Sequence, residues 1–188
     1  LDDSNPKYLN SRQSLIFDKS QLLYGFHLAE QDIRENGAVV VEGYIDAIMA
    51  HQNDFKNVVA SMGTSLTRHQ VKLIQSITQN VSLALDPDTA GQEATLRSME
   101  SSWQVLQQRV VSRTGVSKIY EKLSRPTLKV VQLPYSQDPD QVISREPNEW
   151  RRLTDNARPL MEFLFEALGS RIDVTTSQGK TQIAEILF

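Results

Sequence analysis

Three carboxylates placed at the ends of short apolar runs are the residues of this chain best suited to chemistry. Glu42 follows Val39-Val40-Val41, and Asp86 and Asp88 follow Leu83-Ala84-Leu85. Brought to one spot, three such acids repel one another unless a cation lies between them. Hard oxygen donors in a chain with no Cys suit Mg²⁺ or Mn²⁺ better than zinc. Asp86 and Asp88 stand two positions apart, so on an extended segment both side chains leave from the same side, ready to share metal ions. Crowding by neighbouring acids would raise the pKa of Glu42 and suit it to acid–base work.

Each of these residues also has a structural reading. Glu42 could accept hydrogen bonds from the N–H groups of its own turn, and Asp88 could cap the helix that follows it. Asp46, one helical turn beyond Glu42, is either a supporting group of the site or a cap. Gly43 permits close approach of backbone or phosphate. Gly63-Thr64-Ser65 precedes a helix whose free N–H groups could hold a phosphate, and equally reads as a plain strand-to-helix turn. Asp138-Pro139-Asp140 by itself is a helix start, with Asp at the N-cap and Pro at the first helical position. His27, His51 and His69 share no metal-ligand spacing and read as surface or packing residues.

The elements needed to position these acids follow from hydrophobic period. Short Val/Leu runs between helical stretches read as parallel strands covered on both faces, and ligands bind at the carboxyl ends of such strands. Strands are expected at 38–41, 58–60, 81–85 and 127–133. Helices are expected at about 20–35, ended by Asn36-Gly37, at 44–53, and after a capping box formed by Thr67 and Gln70. A long helix behind Asp88 carries Leu96, Met99, Trp103, Leu106 and Val110, a stripe that fits packing on a sheet or a coiled coil. Residues 111–126 are the least regular, and from 138 onward the pattern is helical: 140–145, 148–154, 159–168 and 178–188. β/α alternation followed by helices is an α/β core with a helical extension.

At 188 residues the chain can bury a core of one domain with an appended subdomain. Its 39% hydrophobic and 23% charged content is ordinary for a globular protein. No run approaches the roughly 18 apolar residues of a membrane span, and no signal peptide is visible. Absence of Cys excludes disulfides and fits a cytoplasmic location. A net charge of −3 argues against a self-sufficient nucleic-acid binder. Leu1 in place of an initiator Met, and the unfinished apolar pattern of Ile183, Ile186, Leu187 and Phe188, read as a piece cut from a longer protein.

Glu42-Gly43-Tyr44-Ile45-Asp46, Gly63-Thr64-Ser65 and Asp86-Pro87-Asp88-Thr89-Ala90-Gly91, in that order, resemble the TOPRIM fold of bacterial DnaG-type DNA primases. The flanks are similar too: Pro6-Lys7-Tyr8-Leu9-Asn10-Ser11, Phe17-Asp18-Lys19, Leu23-Tyr24-Gly25, Leu133-Pro134 and Asp138-Pro139-Asp140. The resemblance runs from about Pro6 to the C-terminus. It implies a mostly parallel TOPRIM-like sheet flanked by helices, with a C-terminal helical subdomain. The divisions are 1–36 from a preceding primase subdomain, 37–135 for the α/β core and 136–188 for the helices. It implies Glu42, Asp86 and Asp88 as catalytic residues, and a Mg²⁺ or Mn²⁺ site that adds Asp138 and Asp140. Lys7, Tyr8, Asn10, Lys19, Gly43, Asp46, Gly63, Thr64 and Ser65 would face nucleotide or template.

The function implied is synthesis of short RNA primers on single-stranded DNA by metal-dependent nucleotidyl transfer, with little activity in the isolated piece and no zinc in it. Ribonucleoside triphosphates, template and RNA primer would be its ligands, and a replicative helicase would dock on a C-terminal domain outside these residues. One departure stands out: the family most often has Gly between the paired aspartates, where this chain has Pro87, which removes one backbone N–H. The alternatives are another TOPRIM enzyme (topoisomerase or nuclease), a non-catalytic nucleic-acid binding remnant, against which the intact acids of all three blocks argue, and a receiver-like signalling module, which also gathers acids at strand ends. A receiver wants a Lys ending a late strand, whereas Lys129 begins one.

Overall fold

In the computed structural model the described residues are 11–63, 65–84, 101–102, 127–134, 137–169, 172, 175–179 and 181. Among the described residues, five strands form one sheet: β1 (Ala38–Val41), β2 (Val58–Ala60), β3 (Asn80–Ala84), β4 (Thr127–Val130) and β5 (Arg158–Pro159). Their order is β2-β1-β3-β4-β5. The first four run parallel, and β5 is antiparallel to β4. Helices are α1 (Phe26–Asn36), α2 (Tyr44–Gln52), α3 (Arg68–Gln75), α4 (Pro139–Arg145), α5 (Pro147–Asp155) and α6 (Leu160–Gly169).

The two-residue period of the strands divides the core in two. Ala38 and Val40 of β1 pack with Val59, Val81, Leu83, Leu128 and Val130 against Ala29 and Ile33 of α1, Val71 and Ile74 of α3, and Leu160 and Leu164 of α6. Val39 and Val41 face the other way, with Val58, Ala60 and Ala84, against Ala47 and Ala50 of α2, Val142 and Ile143 of α4, and Trp150 of α5. All four residues of β1 are buried, as a central strand covered on both faces must be. α4 and α5 thus pack on one face of this sheet and α6 on the other, and β5 extends it.

α1 begins at Phe26 and not near residue 20. The Asp18 carboxylate accepts from the Ser20 N–H (2.9 Å), the Ser20 hydroxyl (2.6 Å) and the Gln21 side-chain amide (2.8 Å), holding residues 18–21 in a turn. Tyr24 then pairs with Ala60 beside β2, and Gly25 takes φ 79°, outside the helical region. The capping box forms as expected: Thr67 Oγ1 accepts from the Gln70 N–H at 3.2 Å, and Gln70 Oε1 from the Thr67 N–H at 3.0 Å. β4 ends at Val130, short of the expected Leu133, although the Val131 N–H still donates to the Leu83 carbonyl. The helix expected behind Asp88, the irregular 111–126 and most of 178–188 lie outside the described residues. Among the described residues, no helix is long and apolar enough to cross a membrane.

Candidate active site

Parallel pairing sets the position of the first acid. Val41 lies opposite Ala60 on one side and Ala84 on the other, so Glu42 leaves the carboxyl edge of the sheet between its two neighbours. Glu42 is half-buried. Its carbonyl accepts the Met62 N–H at 3.0 Å, and the Val41 carbonyl accepts the Ser61 N–H at 3.0 Å, so the turn after β1 is joined to the turn after β2. Met62 takes φ 57° there, a left-handed conformation that costs a non-glycine residue about 1–2 kcal/mol.

Asp46 ties this turn to the third acidic block. It is only 7% exposed. Oδ2 accepts the Gly43 N–H at 3.2 Å, and Oδ1 accepts the Asp140 N–H at 3.0 Å. A Cβ on Gly43 would stand 2.7 Å from Asp46 Oδ2, so glycine is needed for the carboxylate to fold back onto the turn. At the start of α4, Asp138 occupies the N-cap position and Pro139 the first helical position, but the Asp138 side chain makes no capping bond. The Asp140 N–H, second in the helix, is capped from α2 instead. One carboxylate thereby holds the Glu42 turn and the Asp138-Pro139-Asp140 block together, with Asp138 and Asp140 both half-buried.

Burial pushes the Asp46 carboxyl up to about 6; the Asp140 and Gly43 N–H groups oppose this, while the Asp140 and Asp138 carboxylates reinforce it. A carboxyl raised in the folded state stabilises the fold fully below its unfolded pKa of about 3.9, and that contribution is lost as pH rises through the folded value. In metal-free buffer, then, Asp46→Asn should gain stability relative to the unsubstituted chain between pH 4 and 6.5, by up to roughly 3 kcal/mol. Melting temperatures of both proteins across that range check this, and a difference that does not vary with pH would contradict it.

The other expected residues fall in three groups. Gly63 is exposed, with open space where a Cβ would stand, and its carbonyl accepts the Ser61 hydroxyl at 2.6 Å. Ser65 is half-buried beside it. Lys19 is exposed in the turn before α1. Lys7, Tyr8, Asn10, Thr64, Asp86 and Asp88 lie outside the described residues. Glu42, Asp138 and Asp140 supply only oxygen, a donor set that fits Mg²⁺ or Mn²⁺. Among the described residues, no three His, Asp or Glu side chains come together as a group that could hold a metal ion, Glu42, Asp138 and Asp140 included. Gln70, which the sequence marks only as half of a capping box, is 1% exposed and makes three further bonds to carbonyls at this edge.

A parallel sheet ordered β2-β1-β3-β4, with an acid following β1 and a second acidic block pinned beside it, defines an α/β fold of the TOPRIM class. Residues 39–119 match the family model described as Toprim-like, and residues 1–30 match the N-terminal domain of the DNA primase catalytic core. The DNA primase of Clostridium acetobutylicum is 34% identical over 180 residues, 95% of this chain and 27% of that one. That of Escherichia coli K12 is 32% identical over 188 residues, 99% of this chain and 30% of that one. The chain therefore spans under a third of the length of these relatives. Among solved structures, a DNA primase domain from Pseudomonas aeruginosa superposes with a TM-score of 0.78 at 31% identity, covering 100% of this chain and 56% of that one. The DnaG primase catalytic domain bound to single-stranded DNA gives 0.75 at 30% identity, covering 98% and 55%. Over nearly its whole length the chain is similar to DnaG-type DNA primases.

Proposed function

We propose that these residues are the catalytic-core segment of a primase that joins ribonucleotides into short RNA primers on single-stranded DNA. The observation that carries this reading is the Asp46 bridge, which brings the Glu42 turn and the Asp138-Pro139-Asp140 block to one sheet edge in a chain similar to DnaG-type primases. Asp86 comes two positions in sequence after Ala84, the last residue of β3 and the partner of Val41, which supports its belonging to the same edge. A bound primase relative also supports single-stranded DNA as template.

Glu42, Asp86, Asp88, Asp138 and Asp140 would hold Mg²⁺ or Mn²⁺, which would supply neutralisation of the triphosphate and activation of the primer 3′-hydroxyl. Glu42 is the candidate to take the proton of that hydroxyl. Lys7 and Lys19 are the candidates to contact phosphate as point charges, and Tyr8 and Asn10 the candidates to face nucleotide or template. The template is held as a single strand through backbone charge and stacking. The Gly63-Thr64-Ser65 turn is the candidate phosphate cradle. Both oxygens of Asp46 accept protein N–H groups, which favours a positioning role for it over nucleotide contact. A cytoplasmic location and docking to a replicative helicase through residues beyond these belong to the same reading.

The test is metal binding followed by Mn²⁺ relaxation or calorimetry. The chain should bind Mn²⁺ with a dissociation constant on the order of micromolar to millimolar, as open carboxylate sites with retained waters do. Asp86→Asn should weaken it clearly. No binding, or equal binding by Asp86→Asn, would overturn the metal assignment.

A further inference from the structure

A capping box needs only two acceptors, the Thr67 hydroxyl and the Gln70 carbonyl oxygen, and a glutamate in place of Gln70 would serve as well. The amide nitrogen of Gln70 is surplus to that role, and it is fully committed. It donates to the carbonyls of Lys19 (3.0 Å), Leu22 (2.9 Å) and Ser61 (3.0 Å). Two hydrogens serve three acceptors, so one is shared. Thr67 adds a bond from its hydroxyl to the Ser20 carbonyl. The first turn of α3 therefore grips three of the four carbonyls between residues 19 and 22. The grip continues to the acidic edge. Ser61, whose carbonyl Gln70 holds, donates its N–H to Val41, and Met62 donates to Glu42. Tyr24 and Ala60 exchange both backbone bonds, at 2.9 and 3.1 Å, closing the same seam.

We infer that Gln70 is a positioning residue that fixes the strap bearing Lys19 relative to the Glu42 turn. Lys19 is exposed on a stretch that is neither helix nor strand, and a long cation there loses its aim when its backbone moves. An unbroken run of hydrogen bonds leads from the Lys19 carbonyl through the buried Gln70 amide to Ser61, and from Ser61 and Met62 to the carbonyls of Val41 and Glu42. Gln70 thus sets the spacing between the phosphate-binding cation and the acids. The role assigned to Lys19 rests on the primase reading; the mechanical role of Gln70 does not.

Gln70→Glu separates the two tasks, because it keeps the cap acceptor and removes the donor. Gln70→Met removes both without changing size much. The chain has no Cys, so nitroxide labels at Lys19→Cys and Glu35→Cys report the strap against α1 by electron–electron distance measurement. We expect one narrow distance with Gln70 in place, and a broadened or displaced distribution in both variants. In a primase of full length carrying these residues, Gln70→Glu should raise KM for template about tenfold with kcat within about threefold. In a Lys19→Gln background it should add almost nothing, since the two act as one unit. Unchanged distances in both variants, or effects that add to Lys19→Gln, would overturn the inference. Lack of primer synthesis before any substitution would instead sink the functional reading and leave the distances to decide the role of Gln70.

Discussion

Glu42→Gln, made in a primase of full length carrying these residues, is expected to lower primer synthesis by roughly 10²–10⁴-fold, the range for loss of a positioned acid–base group. The substitution keeps size and hydrogen-bonding capacity and removes only the charge. The backbone bonds around it, Ser61 to Val41 and Met62 to Glu42, do not involve the side chain. The turn should therefore keep its shape while turnover falls. On the proposed reading Asp86→Asn should also cripple turnover but be partly relieved by raising Mn²⁺, because its defect would be one of metal occupancy. On the proposed reading both substitutions should leave metal-free melting temperatures unchanged or slightly raised, since each would relax repulsion between neighbouring acids. A capping role predicts the opposite sign, a loss of about 0.5–2 kcal/mol. A clear drop in stability for both, with primer synthesis near normal, would refute the catalytic assignment.

The second large effect is on stability. Trp150 is 1% exposed and fills the space between α5 and the sheet face that also receives Val142 and Ile143 of α4. Its ring meets the Phe55 ring edge-on at 6.4 Å, and the Arg151 guanidinium lies 5.4 Å from the centre of the Phe55 ring. Trp150→Ala should destabilise the chain by about 3–5 kcal/mol, combining lost burial with a cavity. At about 2–4 °C per kcal/mol for a chain of this size, melting should fall by on the order of 10 °C. Phe165→Ala is the contrast: Phe165 is 55% exposed on α6, and its loss should stay within about 0.5 kcal/mol in the 188-residue chain. Equal losses at the two positions would mean that the second core does not hold α5 as described. The cost at Trp150 should reach the site too, because the same core seats α4 and, with it, Asp138 and Asp140.

What the sequence alone determined is whatever depends on neighbours a few residues away. Val39-Val40-Val41 stopping at Glu42-Gly43, the Thr67/Gln70 capping box, and Asp138-Pro139 opening a helix are local patterns of period, turn chemistry and capping. Such patterns survive in any fold that contains them, so β1, β2 and α3 were legible, and the ordered acidic blocks carried the resemblance. Tertiary structure decided the rest, because it depends on partners dozens of positions away. Nothing near Asp46 in the sequence marks Asp140 as its partner; only the packing of α4 against α2 brings that N–H to Oδ1. The late start of α1 was hidden because Asp18 and the Tyr24–Ala60 pairing outweigh helical spacing that Leu22 and Leu23 share with Phe26. β5 is two residues long and exists only because β4 offers it an edge. Gln70 shows the division within one side chain: its carbonyl oxygen obeys a local rule readable from Thr67, while its amide nitrogen serves carbonyls that only the folded chain delivers.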